Sequence, residues 1–456
     1  MFTNRNDLLQ RNLAQFNYGI AVTDVDGDGD FEWLVAGYGF PNSVYKWTGS
    51  VFENVTPAAL ADAGRQAIGV AAADLDGDGD EEIYILNTDS FQGKKLFADR
   101  LFDRSDGEWT DLFGLPAHRD VMNLTAGRSV IAVDRDGDGI YGFFVSNYGG
   151  PMRLYELDED GRLQDVAPRV GLALTTGGRS AVSLPLLTTR MDIFAGNEDG
   201  ANFLFLNTGE GHFEEVAEVV NLSDTSQHAR GIAILDANED GLFDIVVGNW
   251  EGYHRLFIQD FGGKFADDAP PEMAAPSRVR TVIAADFDND GYEEIFFNNI
   301  GQRNRLFARR NSEWVQINIG DALEPAGLGT GAAVADMDGD GRLELLIAHG
   351  ENAMQPLSLY HTPQNDNHWL RVLPYTIHGA PARGALVTLE SNGRTQRRVI
   401  DSGSGYLCQM EPVAHFGLGS ATQIDRVEVR WPDGAMFTLN RPGIDQLIKV
   451  QHPYGF

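Results

Sequence analysis

The sequence predicts an all-β fold, namely a seven-bladed β-propeller followed by a small C-terminal β-sandwich. Two observations support this prediction: an acidic nonapeptide recurs at near-constant spacing, and strand-like apolar segments flank each copy. At 456 residues the chain is also too long for one ordinary hydrophobic core, which favours a repeat architecture or two domains.

The nonapeptide, here called the acidic turn, has six clear copies and a degenerate copy near Pro185. Successive copies start 50 to 60 residues apart. This period is typical of a four-stranded propeller blade, whereas helical repeats would show a 3.6-residue apolar periodicity. The six clear copies begin at Asp24, Asp74, Asp134, Asp236, Asp286 and Asp336.

Each acidic turn lies between two predicted strands. A strand of small residues, such as residues 69–73, leads into the turn, and an apolar run, such as residues 83–85, follows it. The last unit lacks a fourth strand, so we expect residues 2–5 to complete it and close the ring. An apolar-aromatic pair marks a third strand in each unit: Val44/Tyr45, Leu96/Phe97, Leu154/Tyr155, Leu204/Phe205, Leu256/Phe257, Leu306/Phe307 and Leu359/Tyr360.

In its full form the turn reads D-x-D-x-D-G-x-x-[DE]. Side-chain oxygens at positions 1, 3, 5 and 9, with a backbone carbonyl at position 7, would surround a hard cation, and Gly at position 6 permits the sharp turn. Calcium fits this set best, because magnesium would keep more water and zinc or copper would require His or Cys. An EF-hand is excluded, since its bidentate Glu at position 12 is replaced here by apolar residues.

We predict that six turns bind about five or six calcium ions, which are structural rather than catalytic. Turns without ions are the alternative, but three or four crowded carboxylates would repel one another. The Asp134 turn has Gly142 at position 9 and should bind more weakly or borrow a ligand, the Asp236 turn is a conservative variant, and residues 185–192 should bind no metal. The predicted ligands are Asp24, Asp26, Asp28, Asp30, Glu32; Asp74, Asp76, Asp78, Asp80, Glu82; Asp134, Asp136, Asp138, Ile140; Asp236, Asn238, Asp240, Leu242, Asp244; Asp286, Asp288, Asp290, Tyr292, Glu294; Asp336, Asp338, Asp340, Arg342 and Glu344.

These turns resemble the FG-GAP, or VCBS, repeats of integrin α-subunit propellers, in which the same spacing binds calcium. Later stretches resemble the ASPIC/UnbV domain: NHWLRV from Asn367, GSGYLCQ from Gly403, HFGLG from His415 and WPDG from Trp431. Repeats followed by this domain are the layout of the cartilage acidic protein family. The resemblance implies a propeller over residues 1–362, a sandwich over residues 363–456, and an extracellular or cell-surface calcium-binding interaction protein without established chemistry.

The chain carries 67 acidic and 35 basic residues, a formal net charge of −32. Such an excess would repel nucleic acid and anionic membrane surfaces, so we expect no nucleic-acid binding. No apolar run approaches the roughly 20 residues needed to span a bilayer, so we expect no membrane insertion. The N-terminal residues lack the apolar region of a signal peptide. The single cysteine, Cys408, cannot form an intrachain disulfide, and we expect a buried thiol rather than a nucleophile activated by His415.

Two further patterns concern the propeller axis. Four arginines precede position 1 of their turns by six residues and should surround the mouth of the axial channel opposite the acidic turns: Arg128, Arg179, Arg230 and Arg280. They would either bind an anion or acidic partner, or pair with nearby carboxylates and dock the sandwich. Repeated asparagines indicate turn capping or, alternatively, a polar channel holding water or a monovalent cation: Asn87, Asn147, Asn197, Asn249 and Asn298.

Together these features favour a non-enzymatic scaffold or adhesion module, a rigid calcium-bound monomer that recognises a protein or glycan surface. A structural or calcium-buffering protein is one alternative. An enzyme with its site in the channel is another, but the inner strands consist mainly of Ala, Val, Ile and Gly rather than catalytic residues.

Overall fold

The computed structural model describes residues 1–455, and these form a fold dominated by β-strands. Up to His361 the strands make seven four-stranded antiparallel units, of which the third and fourth are joined into one eight-stranded sheet, and the later strands make two further sheets. The predicted all-β fold is therefore confirmed, and the seven units fit the predicted number of blades.

Within each unit, successive strands lie progressively farther from the centre of the propeller. The innermost strands pack against one another around the ring, including the first against the last. They are Asn17–Thr23, Ala67–Ala73, Gly127–Val133, Thr175–Leu184, Ala229–Leu235, Val279–Ala285 and Gly329–Ala335. The second strands are Glu32–Gly37, Glu82–Asn87, Gly142–Pro151, Asp192–Asp199, Asp244–Asn249, Glu294–Asn299 and Glu344–His349.

The third strands carry the predicted apolar-aromatic pair in six of the seven units. In the second unit the prediction was wrong, because a longer loop precedes the strand; Leu101 and Phe102 pair with the second strand, while Leu96 is 87% exposed in that loop. The third strands are Ser43–Trp47, Arg100–Ser105, Arg153–Leu157, Phe203–Asn207, Arg255–Gln259, Arg305–Arg310 and Ser358–His361. The outer strands of the first six units are Phe52–Asn54, Glu108–Asp111, Leu163–Asp165, Phe213–Glu215, Phe265–Asp267 and Glu313–Gln316.

The seventh unit takes its outer strand from the N-terminus. Thr3–Asn4 pairs antiparallel with Ser358–His361. Beside it, Phe2 is buried, with its ring 4.9 Å from that of Phe287. The two ends of the propeller segment are thus joined within one sheet, which removes the open edges that an unclosed ring would expose.

Helical segments are short and lie in the connections. Within residues 1–455, no helix is both long enough and apolar enough to cross a membrane. The α-helical turns are Ala58–Ala61, Ala167–Val170 and Pro271–Ala274. The 3-10 turns are Asn6–Leu8, Leu112–Gly114, Pro116–Val121 and Asp321–Leu323.

Asparagines at the ends of second strands cap the turns that follow. Asn249 Nδ2 donates to the Tyr253 carbonyl oxygen at 2.7 Å. In the sixth unit the capping residue is Asn299, which donates to Arg303 at 2.7 Å, rather than the neighbouring Asn298. Asn147 and Asn197 make the same bond, to Pro151 and Ala201, so turn capping accounts for three of the five predicted asparagines. Asn87 differs, since it accepts from the Gln66 amide at 3.1 Å and its Nδ2 has no hydrogen-bond partner in residues 1–455.

The residues after the propeller form a β-sandwich with its own core, in which Leu370, Val387 and Phe416 are buried. The first sheet is mixed rather than wholly antiparallel, since its central strand runs parallel to the last one. In sheet order its strands are Ala414–Gly419, His368–Pro374 and Leu447–Val450. Those of the second sheet are Arg394–Val399, Leu386–Ser391, Arg426–Arg430 and Met436–Asn440.

The sandwich packs on the propeller face that carries the acidic turns. Gly417 donates its amide to Asp286 Oδ2 at 3.0 Å, on the sixth unit. The fully buried Arg383 of the sandwich contacts Glu81 of the second unit, with Nη2 2.8 Å from Oε1. Arg383 also donates to the Ala72 carbonyl oxygen of that unit. Contacts on separate blades fix the orientation of the sandwich.

A segment of the sandwich, residues 401–410, enters the centre of the propeller, and we call it the plug. Gly405 exchanges two backbone hydrogen bonds with Ile232, at 2.6 and 2.8 Å. Gln409 donates its amide to the Ile20 carbonyl oxygen at 2.9 Å. The plug thus bonds to inner strands of different blades and occupies the axial channel.

The plug explains why small residues are needed on the inner strands. A Cβ atom at Gly19 would lie 2.1 Å from the Leu407 carbonyl oxygen, which is closer than any real contact. Cys408 is buried in the plug, and burial raises the pKa of its thiol to about 11. His415 bonds to Asn289 at 2.6 Å. The thiol therefore packs as a small neutral group.

We predict that Arg383→Met destabilises the protein by about 3–5 kcal/mol, because Glu81 would stay buried without its charged partner. Denaturant unfolding monitored by fluorescence measures the change. Arg383→Met combined with Glu81→Gln should recover part of the loss. The matched control is Arg426→Met, since the side chain of Arg426 is 42% exposed beside Glu390, and this variant should lose under about 1 kcal/mol. Equal losses in the two arginine variants would contradict the buried interdomain pair.

Candidate metal centres

The six acidic turns lie together because each connects the inner strand of a unit to its second strand. In the first unit, position 1 directly follows the strand Asn17–Thr23, and Glu32 at position 9 begins the next strand. Position 6 requires a positive φ, which is 91° at Gly29 and which glycine adopts without strain. Carboxylates at the two ends of the turn are therefore held by the sheet, while those between them lie in the loop.

Ligand-type oxygens converge within individual turns. Groups of three carboxylates, one oxygen from each, lie within 4.8 Å of one another. These groups include Asp24/Asp26/Glu32, Asp74/Asp76/Asp78 and Asp134/Asp136/Asp138. Three like charges at this spacing repel strongly unless a cation or protons neutralise them.

In the four turns with Glu at position 9, one carboxylate oxygen accepts a backbone hydrogen bond within the turn, and the other oxygen accepts none. Glu32 Oε2 accepts a hydrogen bond from the Val25 amide at 2.7 Å, and Glu344 Oε2 accepts one from Met337 at 2.8 Å. The same bond joins Glu82 to Leu75 and Glu294 to Phe287. Buried turn oxygens without a hydrogen-bond partner within residues 1–455 are Glu32 Oε1, Glu82 Oε1, Glu294 Oε1, Glu344 Oε1, Asp236 Oδ1, Asp286 Oδ1 and Asp336 Oδ1. Two of them have a cationic side chain nearby, since Glu32 Oε1 lies 3.2 Å from Lys46 Nζ and Glu294 Oε1 lies 4.0 Å from Arg310 Nη2.

Electrostatics give the same picture of unsatisfied charge. Burial, with a smaller contribution from the nearby carboxylates of Asp76 and Asp74, raises the pKa of Glu82 to about 10. Burial likewise raises the pKa of Glu32 to about 7 and that of Asp134 to about 7. These carboxyl groups would bind protons near neutral pH, and a divalent cation is the partner that would keep them ionised.

The residues predicted to offer a carbonyl at position 7 also order the turn. In every acidic turn the amide of position 7 donates to the carboxylate at position 5, at 2.9 to 3.1 Å. These residues are Asp30, Asp80, Ile140, Leu242, Tyr292 and Arg342. The turn conformation is therefore the same despite their different side chains.

The Asp236 turn differs from the others more than the sequence indicates. Asp244 at position 9 is shorter than Glu, and both of its oxygens accept backbone hydrogen bonds at 2.8 Å, from Ala237 and Gln259. Asn238 donates to Asp240 Oδ2. Position 9 thus supplies no free oxygen here, while Asp236 Oδ1 stays unpartnered within the described chain.

The Asp134 turn and the degenerate turn also lack a full ligand set. In the Asp134 turn, Asp134 accepts amide hydrogen bonds from Gly137 and Gly139, and position 9 is a glycine. In the degenerate turn, Asp192 begins the second strand, and backbone amides that include those of Leu187 and Thr188 donate to it at 2.9 Å. Asp192 therefore has its charge satisfied by the turn itself.

A third-strand position also faces the turns, which sequence reasoning did not identify. It is the residue just after the apolar-aromatic pair. Lys46 Nζ lies 2.6 Å from both Asp26 Oδ2 and Asp28 Oδ2. At the same position, Asp103 joins Asp76 and Glu82, and His361 joins Asp338 and Glu344. The antiparallel register of the second and third strands was the signal that could have located it.

This fold and these turns define an FG-GAP-type β-propeller joined to an ASPIC/UnbV domain. The model of the FG-GAP-like repeat family matches residues 24–85, 189–247, 236–297 and 286–347. The model described as ASPIC and UnbV matches residues 376–455.

Known relatives agree with this class. Cartilage acidic protein 1 of Xenopus tropicalis is 47% identical over 97% of this chain and 75% of its own length, and that of Homo sapiens is 48% identical over 94% and 71%. Among solved structures, the BP39L lectin from Burkholderia pseudomallei covers 76% of this chain and 99% of its own, with a TM-score of 0.51 at 14% identity, which supports the fold alone. The chain belongs to the cartilage acidic protein family.

We predict that Lys46→Met increases the calcium affinity of the Asp24 turn several-fold, because it removes an ammonium group that competes for the same carboxylates. Calcium titration against a competing chelator measures this affinity. The matched control is Lys264→Met, since Lys264 is exposed on the propeller. Unchanged or weaker binding in Lys46→Met would show that the lysine supports the turn instead.

Proposed function

We propose that this protein is a calcium-binding, non-enzymatic scaffold of the extracellular matrix that recognises a protein or glycan partner as a monomer. The observation that carries the proposal is the set of buried, unpartnered carboxylate oxygens in the acidic turns. Leaving such oxygens buried and unpaired is costly, and their repetition across several blades argues against chance. The name of the relatives, which refers to cartilage, supports a matrix location.

Calcium is the cation that best suits these donors. The turns offer mainly carboxylate oxygens, with amide and carbonyl oxygens in addition, and calcium accepts six to eight such ligands in flexible geometry. Burial lowers the pKa of His361 to about 4, so this histidine is neutral beside Glu344 and adds no competing charge. The proposed role of the ions is to hold the turns in the conformation that the sandwich contacts.

The scaffold function is favoured over an enzyme because the plug fills the axis of the channel between its two mouths. Residues 401–410 occupy the axis, where the enzyme alternative places its site. The plug is bonded to the inner strands through backbone groups, including the Ser183–Ser402 pair at 2.8 and 3.0 Å. A monovalent cation on the axis remains a prediction that would have to share this space.

We predict that excess EDTA lowers the melting temperature sharply. An ion bound only by the folded state stabilises it by about 2.7 kcal/mol per site at a free concentration of 100 times its Kd. Differential scanning calorimetry measures the shift. Added calcium should restore the transition, and magnesium should do so less well, because it keeps its water shell. A melting curve that EDTA leaves unchanged would rule out structural calcium.

We predict that elemental analysis finds about five or six calcium ions per chain. Glu344→Gln should remove one ion, because Glu344 Oε1 is a buried oxygen without a hydrogen-bond partner in the described chain. The matched control is Asp192→Asn in the degenerate turn, which should leave the calcium count unchanged even if stability falls. Two or fewer ions in the unaltered protein would refute the proposed ligand sets.

A further inference from the structure

A basic cavity lies at the end of the axial channel opposite the acidic turns. The four arginines expected there begin their inner strands and line an open cavity of about 360 Å³, together with Trp250 and Tyr406. In a chain of net charge −32, a cavity lined by four guanidinium groups is an exception that requires a physical reason. The sandwich itself docks on the other face, and only its plug reaches this cavity.

Carboxylates neutralise the ring only in part. Glu198 pairs with both Arg179 and Arg230, and Glu351 pairs with Arg280. Arg128 has no carboxylate within 4.0 Å among the described residues and donates instead to backbone carbonyl oxygens. Of the cavity's other residues only Asp89 adds a negative charge, so the lining stays cationic.

Several guanidinium N–H groups are buried and unused. Arg128, Arg230 and Arg280 are 8%, 4% and 8% exposed. Within residues 1–455, the atoms without hydrogen-bond partners are Arg128 Nε, Arg230 Nε, Arg230 Nη1 and Arg280 Nε. Buried donors of this kind carry a desolvation cost that no acceptor among the described residues offsets. The arginine ring as a whole is therefore short of hydrogen-bond acceptors.

Aromatic rings hold the guanidinium groups in place. Arg230 and Arg280 lie over Trp250, at 5.3 and 4.6 Å from the ring centroid. Arg128 and Arg179 lie over Phe91, at 5.2 and 5.1 Å. Because stacking fixes the planes of the side chains before any ligand arrives, little side-chain entropy would be lost on binding.

The plug supplies a neutral donor to the same cavity. Burial would raise the pKa of Tyr406, but the charges of the four arginines outweigh burial and lower it. A phenol in such a field is a stronger hydrogen-bond donor than an ordinary tyrosine. Its ring lies 6.0 Å from the Arg280 guanidinium carbon.

We propose that this cavity is a binding site for a sulfate or phosphate group, carried by a small ester or present as the free ion. Fork-shaped guanidinium donors match tetrahedral oxyanions, and planar bidentate recognition is the usual role of arginine in proteins. The cavity volume falls in the range of sites for small ligands and exceeds the needs of the ion alone, which favours an ester with a sugar-sized group.

Isothermal titration calorimetry on the calcium-loaded full chain in dilute chloride buffer tests this site. The probes are sodium sulfate, sodium phosphate, glucose 6-phosphate and N-acetylglucosamine 6-sulfate. We expect saturable 1:1 binding of at least one oxyanion, with the esters binding more tightly than the free ions if the sugar fills the cavity. Absence of saturable binding for all four probes would overturn the proposal.

Arg128→Gln should weaken binding about tenfold, because it removes a charged donor without leaving a carboxylate unpaired. The matched control is Arg162→Gln, an exposed arginine on the third unit, which should bind as the unaltered protein does. Tyr406→Phe, which keeps the ring and the plug, should weaken binding several-fold. Equal weakening in the two arginine variants would indicate a general charge effect and would overturn the site, as would unchanged affinity in both Arg128→Gln and Tyr406→Phe.

The calcium content and melting temperature of each variant are measured on the same samples. Unchanged values beside a lost anion affinity would assign the effect to the cavity rather than to the fold. The proposed calcium sites and the proposed anion site can therefore be refuted separately. If the turns bind no calcium, anion binding can still be measured directly. If the cavity binds no anion, the calcium count is unaffected.

Discussion

Neutralisation of carboxylates on one face of the propeller is the constraint on which the rest of the structure depends. The chain's acidic excess lies entirely before the sandwich, since residues 363–456 contain nine Lys and Arg against eight Asp and Glu. The sandwich therefore places positively charged arginine side chains against the acidic face. Arg371 Nη1 lies 3.0 Å from Asp336 Oδ2, and Arg398 lies 3.3 Å from Glu293. Docking of the sandwich therefore also compensates part of the negative charge on this face of the propeller.

The same constraint makes the two mouths of the axial channel opposite in charge. Carboxylates gather at the mouth where the inner strands end, and arginines gather where they begin. The plug joins the two mouths, because residues 401–410 leave the sandwich on the acidic side and place Tyr406 among the arginines. Backbone hydrogen bonds rather than charges hold the plug between them, which suits a channel lined by Gly, Ala and Val.

The sequence predicted the features that recur from unit to unit, including the closing strand near residues 2–5, and missed contacts that the repeat does not encode. The strands and acidic turns recur from one unit to the next, so the periodicity of the sequence alone indicated them. Lys46 and His361 were missed because their contacts depend on the register between second and third strands. The plug was missed because residues 401–410 carry no signal of the distant strands they join. Leu96 was misassigned because a fixed offset ignores a longer loop.

The sandwich contacts one oxygen of two turn carboxylates and leaves the other oxygen of each without a hydrogen bond among the described residues. Asp286 Oδ2 accepts hydrogen bonds from Gly291 of its own turn and from Gly417 of the sandwich, at 2.8 and 3.0 Å, while Oδ1 is buried without a hydrogen-bond partner in residues 1–455. Asp336 is arranged alike, with Arg371 as the sandwich contact. A cation on the free oxygen would therefore not displace the sandwich. It would fix the carboxylate plane that the sandwich donors require, so ion binding and docking should reinforce each other.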